Sequence, residues 1–493
     1  MVSVLARNRD IEHWDAEDVE AWESGGKDIA RRNLIWSIFA EHIGFSIWSI
    51  WSVMVLMMPP AVYHIDVIGK FYLVAMPTLI GSILRIPYTV ATAKFGGRNW
   101  TTFSAVALLV PTALTMYYMA HPASYTTYMV VAAFAGVGGG NFASSMTNIN
   151  VFYPQRLKGW ALGLNAGGGN LGVPVIQLIG LAIIAALGQK YTGDGKQASV
   201  LCAIYLALIV IAALGAYLYM DNVRNQKADL SAMGRMLKYR ESWVMSVLYI
   251  GTFGSFIGYS FAFGQVLNIN FTAELTQAAQ ALSGPAKAAA LAAVAGKASL
   301  HAAQIAFIGP LLGSLLRPVG GKLADRFGGG KITLYTFVAM VASTAILVVT
   351  GLKNGHRAPT HAELWFYVIG FILLFILSGI GNGSTYKMIP SIFEAKSKSV
   401  QGDTAEKAAW SRNMSGALIG FAGAVGAFGG VLINMVLRAS YASTKSATNA
   451  FWVFLVFYAA CAVLTWAVFL RRPTGKVAEV RETASAETAS ARV

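Results

Sequence analysis

The chain has 493 residues, of which 56% are hydrophobic and only 12% are charged. Soluble globular proteins have about 25% charged residues, so this composition excludes a disordered chain and argues against a soluble one. The 38 Lys and Arg residues outnumber the 23 Asp and Glu residues, and we attribute the net charge of +15 to membrane association rather than to nucleic-acid binding.

The N-terminal segment, residues 1-32, is polar and has no short apolar stretch with a cleavage site, so we expect no signal peptide. Apolar stretches of about 20 residues, long enough to cross a bilayer as a helix, then recur along almost the whole chain. We predict twelve transmembrane helices, at residues 33-59, 69-93, 100-120, 125-152, 159-188, 199-220, 242-264, 302-323, 331-353, 364-392, 412-438 and 449-470. The predicted fold class is therefore all-α, a polytopic membrane protein.

A basic cytoplasmic linker at 221-241 separates a predicted six-helix bundle at 33-220 from a second one at 242-470. An internal repeat relates the two halves. Arg85 and the Phe-Gly-Gly turn at 95-97 recur without gaps as Arg317 and the turn at 327-329. Two halves of equal orientation are typical of secondary transporters, in which one half rocks against the other.

Two further segments complete the predicted organisation. An Ala-rich external loop at 265-301 is expected to form one or two short amphipathic helices, with a packing role favoured over a gating role. The tail at 471-493 is expected to be cytoplasmic and disordered. Lys and Arg predominate in the N-terminal segment, the linker, the tail and alternate short loops, which places both termini in the cytoplasm.

Two arginines lie inside predicted spans, Arg85 and Arg317. A buried guanidinium costs at least about 2.5 kcal/mol on the membrane-insertion scale, and it cannot lose its charge. Glu41 is the one acidic residue well inside a predicted span, so the pair has an excess of positive charge. We therefore predict an anion site for a small planar oxyanion, because the guanidinium fork donates paired hydrogen bonds.

Several motifs resemble a known family. The turn at 320-331, GGKLADRFGGGK, is similar to the cytoplasmic loop motif of the major facilitator superfamily. Within that superfamily the chain resembles the nitrate/nitrite porter family along nearly its whole length. The resemblance rests mainly on residues 140-148, GNFASSMTN, and residues 379-385, GIGNGST.

The resemblance implies that Arg85 and Arg317 bind the anion. It also implies that the wall of the site, which excludes water, contains Phe45, Phe142, Asn170, Tyr249 and Phe253. Asp325 and Arg326 of the loop motif would form a latch between adjacent helices in the outward-facing state.

The sequence also departs from the family pattern at Lys387, at Glu41 and His42, and at Gly423, where a small hydroxyl residue is expected near the site. Glu41 and Lys387 both lie in the cytoplasmic third of their predicted helices. We expect them to form an ion pair or a gate contact rather than a proton relay, and we expect His42 to be a packing residue.

The predicted function is nitrate/nitrite antiport across the cytoplasmic (inner) membrane by alternating access. Two cations that face each other in a low dielectric repel. Only a transporter with an anion bound should therefore change easily between its two conformations. Two alternatives are a proton-coupled nitrate symporter, using Glu41, His42 or Lys387, and a membrane nitrate sensor with little transport. We predict no enzymatic activity, no cofactor and no metal, and a monomer whose partners are nitrate, nitrite and the lipid bilayer.

Overall fold

The computed structural model describes residues 9–188, 194–224, 230–355 and 357–471. Long helices follow one another along these residues. The first, α1, is Lys27–Trp48, and after Ser49 the chain continues as the short helix Ile50–Met54. The others are Val67–Phe95 (α2), Gly97–Ala120 (α3), Tyr125–Phe152 (α4), Arg156–Leu187 (α5), Lys196–Tyr219 (α6), Arg240–Gln280 (α7), Gly284–Phe327 (α8), Gly329–Asn354 (α9), His361–Ser397 (α10), Glu406–Thr444 (α11) and Thr448–Leu470 (α12).

Within the described ranges, the 11 helices from α2 to α12 are long and apolar enough to cross a membrane. Helix α1 occupies the position of the first predicted span, and it is more polar because Asp28, Arg31, Arg32 and Glu41 lie along it. With α1 included, the order of the helices matches the twelve predicted spans. The predicted all-α polytopic fold is confirmed.

Residues 265-301 are helical in two pieces, as expected, but they are not a loop with separate short helices. Helix α7 continues to Gln280 and α8 begins at Gly284, so the segment forms the ends of two long helices that pack against each other. Alanine has the highest helix propensity, and the Ala-rich sequence extends both helices instead of interrupting them. We call the side of the molecule that contains this turn the hairpin face, and the opposite side, where α1 begins and α12 ends, the terminal face.

At the terminal face, the N-terminal segment is attached to the first half of the chain. Strand β1, Asp10–Ile11, pairs in parallel with β2, Asn222–Val223. The adjacent Asp221 is buried and accepts a hydrogen bond from Arg32 (2.5 Å). Arg224 donates to Asp10 at 2.8 Å, which lowers the pKa of that carboxyl. The start of the predicted linker is thus fixed to α1, whereas residues 225–229 and the predicted disordered tail from 472 lie outside the described residues.

The internal repeat is visible in the backbone. Helices α2 and α8 end at Gly96 and Gly328, which have φ values of +88° and +92°. Glycine adopts this region without steric cost, so the repeated Gly gives both helices the same sharp end. Arg85 and Arg317 consequently occupy equivalent positions in α2 and α8.

Near the hairpin face, hydrogen bonds join the two halves. Gln177 of α5 donates to the carbonyl of Ser260 in α7 at 2.9 Å and to the hydroxyl of Ser52 at 3.1 Å. Ser299 of α8 donates to the carbonyl of Leu56, beyond the end of α1, at 2.8 Å. Toward the terminal face, α5 and α8 have open space beside several of their glycines. A Cβ atom at Gly163, Gly167 or Gly321 would meet no atom within 4 Å.

Candidate functional site

Arg85 is fully buried between the two halves. Its Nε donates to the carbonyl of Gly139 in α4 at 3.2 Å, and its Nη1 donates to the carbonyl of Gly423 in α11 at 3.0 Å. Its Nη2 is buried and has no hydrogen-bond partner among the described residues. One side of the guanidinium is therefore fixed by backbone oxygens, and the Nη2 amino group is left to donate.

Arg317 has a similar environment in the second half, with 7% of the residue exposed. Its Nη2 lies 3.5 Å from the hydroxyl of Tyr249 in α7. Its Nη1 is buried and, in the described part of the chain, has no partner. A buried cation without a counter-ion is costly, and each arginine presents an unused donor for an anion.

Aromatic rings surround the two guanidinium groups. The Cζ of Arg85 lies 4.7 Å from the ring centre of Phe142, and the Cζ of Arg317 lies 5.7 Å from the same ring. Phe253 lies 4.9 Å from the Cζ of Arg85 and stacks on Tyr249 with ring centres 5.2 Å apart. Phe45 contacts the edge of Phe142. The structure thus brings together both predicted arginines and four of the predicted wall residues, Phe45, Phe142, Tyr249 and Phe253.

The remaining predicted wall residue, Asn170, is 1% exposed, and its Oδ1 has no partner among the described residues. Two residues that the sequence analysis missed also lie beside the arginines. The ring centre of Trp48 is 5.4 Å from the Cζ of Arg85, and that of Tyr386 is 5.5 Å from the Cζ of Arg317. The position of Tyr386, directly after the 379-385 motif, could have indicated it.

The predicted ion pair between Glu41 and Lys387 is wrong. Lys387 lies 2.9 Å from Asp325 and is partly exposed at the terminal face. Glu41 is buried in the first half, where it accepts hydrogen bonds from Ser145 and Asn165. Glu41 lies past the middle of α1, whereas Lys387 lies near the terminal-face end of α10, and their side chains belong to different halves and contact different neighbours.

The other gating candidates, His42, Asp325 and Arg326, each contact groups within their own half of the molecule. The ring Nδ1 of His42 lies 3.1 Å from the carbonyl oxygen of Gly168, a contact that suits a packing residue. The Asp325–Lys387 ion pair joins α8 to α10 within the second half, and the guanidinium of Arg326 lies over the ring of Phe327. Gly423 contributes its carbonyl oxygen to Arg85 in place of a hydroxyl group.

Comparisons with known proteins agree with this architecture. Residues 34–402 match the family model of the Major Facilitator Superfamily. The chain is similar to the "Nitrate/nitrite transporter NarU" of Salmonella typhimurium (strain LT2), with 35% identity over 478 residues that cover 94% of this chain and 96% of the relative. It is 29% identical over 482 residues to the "Probable nitrate/nitrite antiporter NarK2" of Thermus thermophilus, covering 94% and 98% of the two chains.

A solved structure supports the fold. The "Crystal structure of nucleoside transporter NupG" superimposes with a TM-score of 0.55 at 14% identity and covers 90% of this chain and 100% of that one. At this identity the likeness concerns the fold alone. Together, the family model and the relatives show that the chain belongs to the major facilitator superfamily and, within it, to the family of NarK-type nitrate/nitrite porters.

Proposed function

We propose that this protein exchanges nitrate for nitrite across a membrane by alternating access. The observation that carries the proposal is the pair Arg85 and Arg317, one from each half, each with a buried N–H group that has no partner among the described residues. Relatives that cover nearly the whole chain are named nitrate/nitrite transporters or antiporters.

A small planar anion suits this pair. Its oxygens would accept from Nη2 of Arg85 and Nη1 of Arg317, and such charge-assisted bonds are stronger than neutral ones. The rings of Phe142 and Phe253 favour a flat ligand and keep the site free of water, so the two cations act in a low dielectric. Tyr249 adds a polar contact beside Arg317, and we assign Asn170, whose buried Oδ1 has no partner among the described residues, to the same site.

Exchange follows from the same contacts. No carboxylate lies within 4 Å of either guanidinium in the described part of the chain. A site that closes without an anion would therefore leave both spare donors buried and unpaired, at a cost of several kcal/mol. Either nitrate or nitrite removes this cost. After one anion is released, the transporter therefore needs a second anion to return to its first conformation.

The moving units in this proposal are the bundles at 33-220 and 242-470, which rock about the site. The contacts of Gln177 and Ser299 close the hairpin face, and the anion would enter from the terminal face, where open space lies beside glycines of α5 and α8. The terminal face would be cytoplasmic, as the distribution of Lys and Arg predicts, and the membrane would be the inner membrane. The transporter would act as a monomer.

Anion binding tests the proposal directly. We expect purified protein to bind nitrate and nitrite, and we expect Arg85→Lys and Arg317→Lys each to weaken binding at least tenfold, about 1.5 kcal/mol or more. Lysine keeps the charge but loses the planar fork. Arg326→Lys, outside the site, is the matched control and should bind as the wild type does. Unchanged binding in both site variants would refute the proposed site.

A further inference from the structure

Glu41 is a buried carboxyl group that the exchange mechanism does not use. It lies in α1 and is 1% exposed. Its Oε2 accepts hydrogen bonds from Nδ2 of Asn165 at 2.8 Å and from the hydroxyl of Ser145. Its Oε1 is buried and has no partner among the described residues. Gly169 lies against Oε1, where a larger residue would collide with it.

The charges around Glu41 come mainly from the anion site. Arg317 and Arg85 act on its carboxyl at longer range, beyond ion-pair distance, and Tyr386 lies within the same range. The neighbouring His42 faces the carbonyl of Gly168 instead. The helices around α1 carry these other titratable side chains: Lys70, Tyr72, Tyr88 and Lys94 of α2, Arg98, Tyr117 and Tyr118 of α3, Tyr125 and Tyr128 of α4, Arg156 and Lys158 of α5, and Lys196, Cys202, Tyr205, Tyr217 and Tyr219 of α6.

A carboxylate in such a position is costly when it is ionised. Burial removes its hydration, no cation contacts it within the described residues, and one oxygen accepts no hydrogen bond. A proton on Oε1 removes the charge and leaves both hydrogen bonds to Oε2 in place. The geometry therefore suits a group that gains and loses a proton inside the first half.

We propose that Glu41 is a proton-binding site that is linked to the anion site. The inference rests on the proposed function, because it assumes that an anion binds between Arg85 and Arg317. When Glu41 is ionised, its negative charge competes with the anion for the field of the two arginines. When a proton from the solvent binds to Oε1, the field acts on the anion alone, and anion affinity rises.

The linkage is reciprocal, as thermodynamics requires. A bound anion partly cancels the positive field that favours ionised Glu41, so anion binding draws a proton onto the carboxyl. Nitrate and nitrite each carry the same charge and have the same effect. An exchange of one for the other then moves no net proton, whereas binding of an anion to the empty site takes up as much as one proton.

The test measures nitrate binding to the full-length purified protein from about pH 5 to about pH 9, in buffers of different ionisation enthalpy. We expect affinity to fall as pH rises, with a slope that approaches tenfold per pH unit, and we expect up to one proton to be taken up per nitrate. Glu41→Gln keeps the shape and an oxygen acceptor, and it should bind nitrate with no pH dependence and no proton uptake. His42→Gln, the control, should behave as the wild type does.

A second variant keeps the test decisive if Glu41→Gln fails to fold. Ser145→Ala removes a donor to the ionised carboxyl, so it should shift the fall in nitrate affinity to higher pH. An absence of proton uptake in the wild type, an unchanged pH dependence in Glu41→Gln, or an unshifted one in Ser145→Ala would overturn the linkage. If nitrate does not bind at any pH, the proposed function fails instead.

Discussion

Each guanidinium at the centre of the molecule has a polar protein neighbour and one buried NH₂ group without a partner among the described residues. Backbone carbonyls of Gly139 and Gly423 fix Arg85, and the hydroxyl of Tyr249 is the polar neighbour of Arg317. A hydrogen bond to a carbonyl leaves the positive charge in place, so the site stays attractive to an anion. Phe142 lies beside both cations, and its uncharged ring makes a cation–π contact with each of them.

Replacement of Phe142 tests this role. Phe142→Leu removes the cation–π contacts to both arginines, each worth about 0.5–2 kcal/mol when desolvated, and opens space between them. We expect nitrate affinity to fall about tenfold, as measured by calorimetry. Phe45→Leu is the matched control, because Phe45 contacts Phe142 at its edge and lies over neither arginine, and its effect should be several times smaller. Equal effects would show that the ring acts only by packing.

At the residue scale, sequence reasoning identified side chains whose chemistry alone makes them unusual in a membrane. Arg85 and Arg317 are conspicuous because a guanidinium inside a span needs a reason. The carbonyl partners at Gly139 and Gly423 could not be predicted, because every residue has a carbonyl group and only the tertiary fold determines which ones contact Arg85. The predicted Glu41–Lys387 ion pair is wrong because the position of a residue along a helix does not determine which neighbour its side chain contacts.

Among the helices, glycine sets how closely α1 and α4 approach. A Cβ at Gly138 would overlap the backbone carbonyl of Gly44. Gly138→Ala should therefore destabilise the protein by about 1–3 kcal/mol, seen as a lower Tm in detergent. Gly163→Ala makes the same change in α5, where no atom lies within 4 Å of the new Cβ, and should leave Tm unchanged or slightly raised. A loss of stability in Gly163→Ala equal to that in Gly138→Ala would contradict this account.

The contact of Gln177 with Ser260 predicts how the hairpin face opens. Gln177→Leu removes this hydrogen bond between the halves, so the face should open more often. A cysteine introduced by Ala303→Cys lies at the buried interface near Gln177. We expect it to react several times faster with a thiol reagent when Gln177→Leu is also present than when Gln177 is intact. The native Cys202 and Cys461 are buried and should stay unreactive.

Ser52→Ala is the control for this measurement. It removes the bond between Gln177 and Ser52 within the first half and leaves the bond between the halves. Labelling in this background should match that of Ala303→Cys alone. If Gln177→Leu does not change the rate either, Gln177 does not help to close the hairpin face.

Helix number and order could be predicted from the sequence because each span must satisfy its backbone internally and bury about 20 apolar residues. The extent of α7 and α8 could not, because hydropathy registers only the part of a helix inside the bilayer. The Ala-rich segment at 265-301 is less apolar than a span but strongly helical. The helix propensity of this segment, rather than its hydropathy, indicates that α7 and α8 extend to the turn between them.

For the whole molecule, the two halves meet at two positive charges that no carboxylate of the described residues contacts. The equivalent ends of α2 and α8 at Gly96 and Gly328 place these charges symmetrically. Rocking one half against the other must therefore either carry an anion between them or bury the charges unpaired. This requirement distinguishes an exchanger from a transporter that returns empty.

Counterflow in proteoliposomes tests this claim most directly. Vesicles that contain the protein are loaded with unlabelled nitrate, and uptake of labelled nitrite is followed with no pH gradient. We predict rapid uptake in loaded vesicles and almost none in vesicles without internal anion, with both signals lost in Arg85→Lys combined with Arg317→Lys. Equally fast uptake into vesicles that contain no internal anion would contradict obligatory exchange.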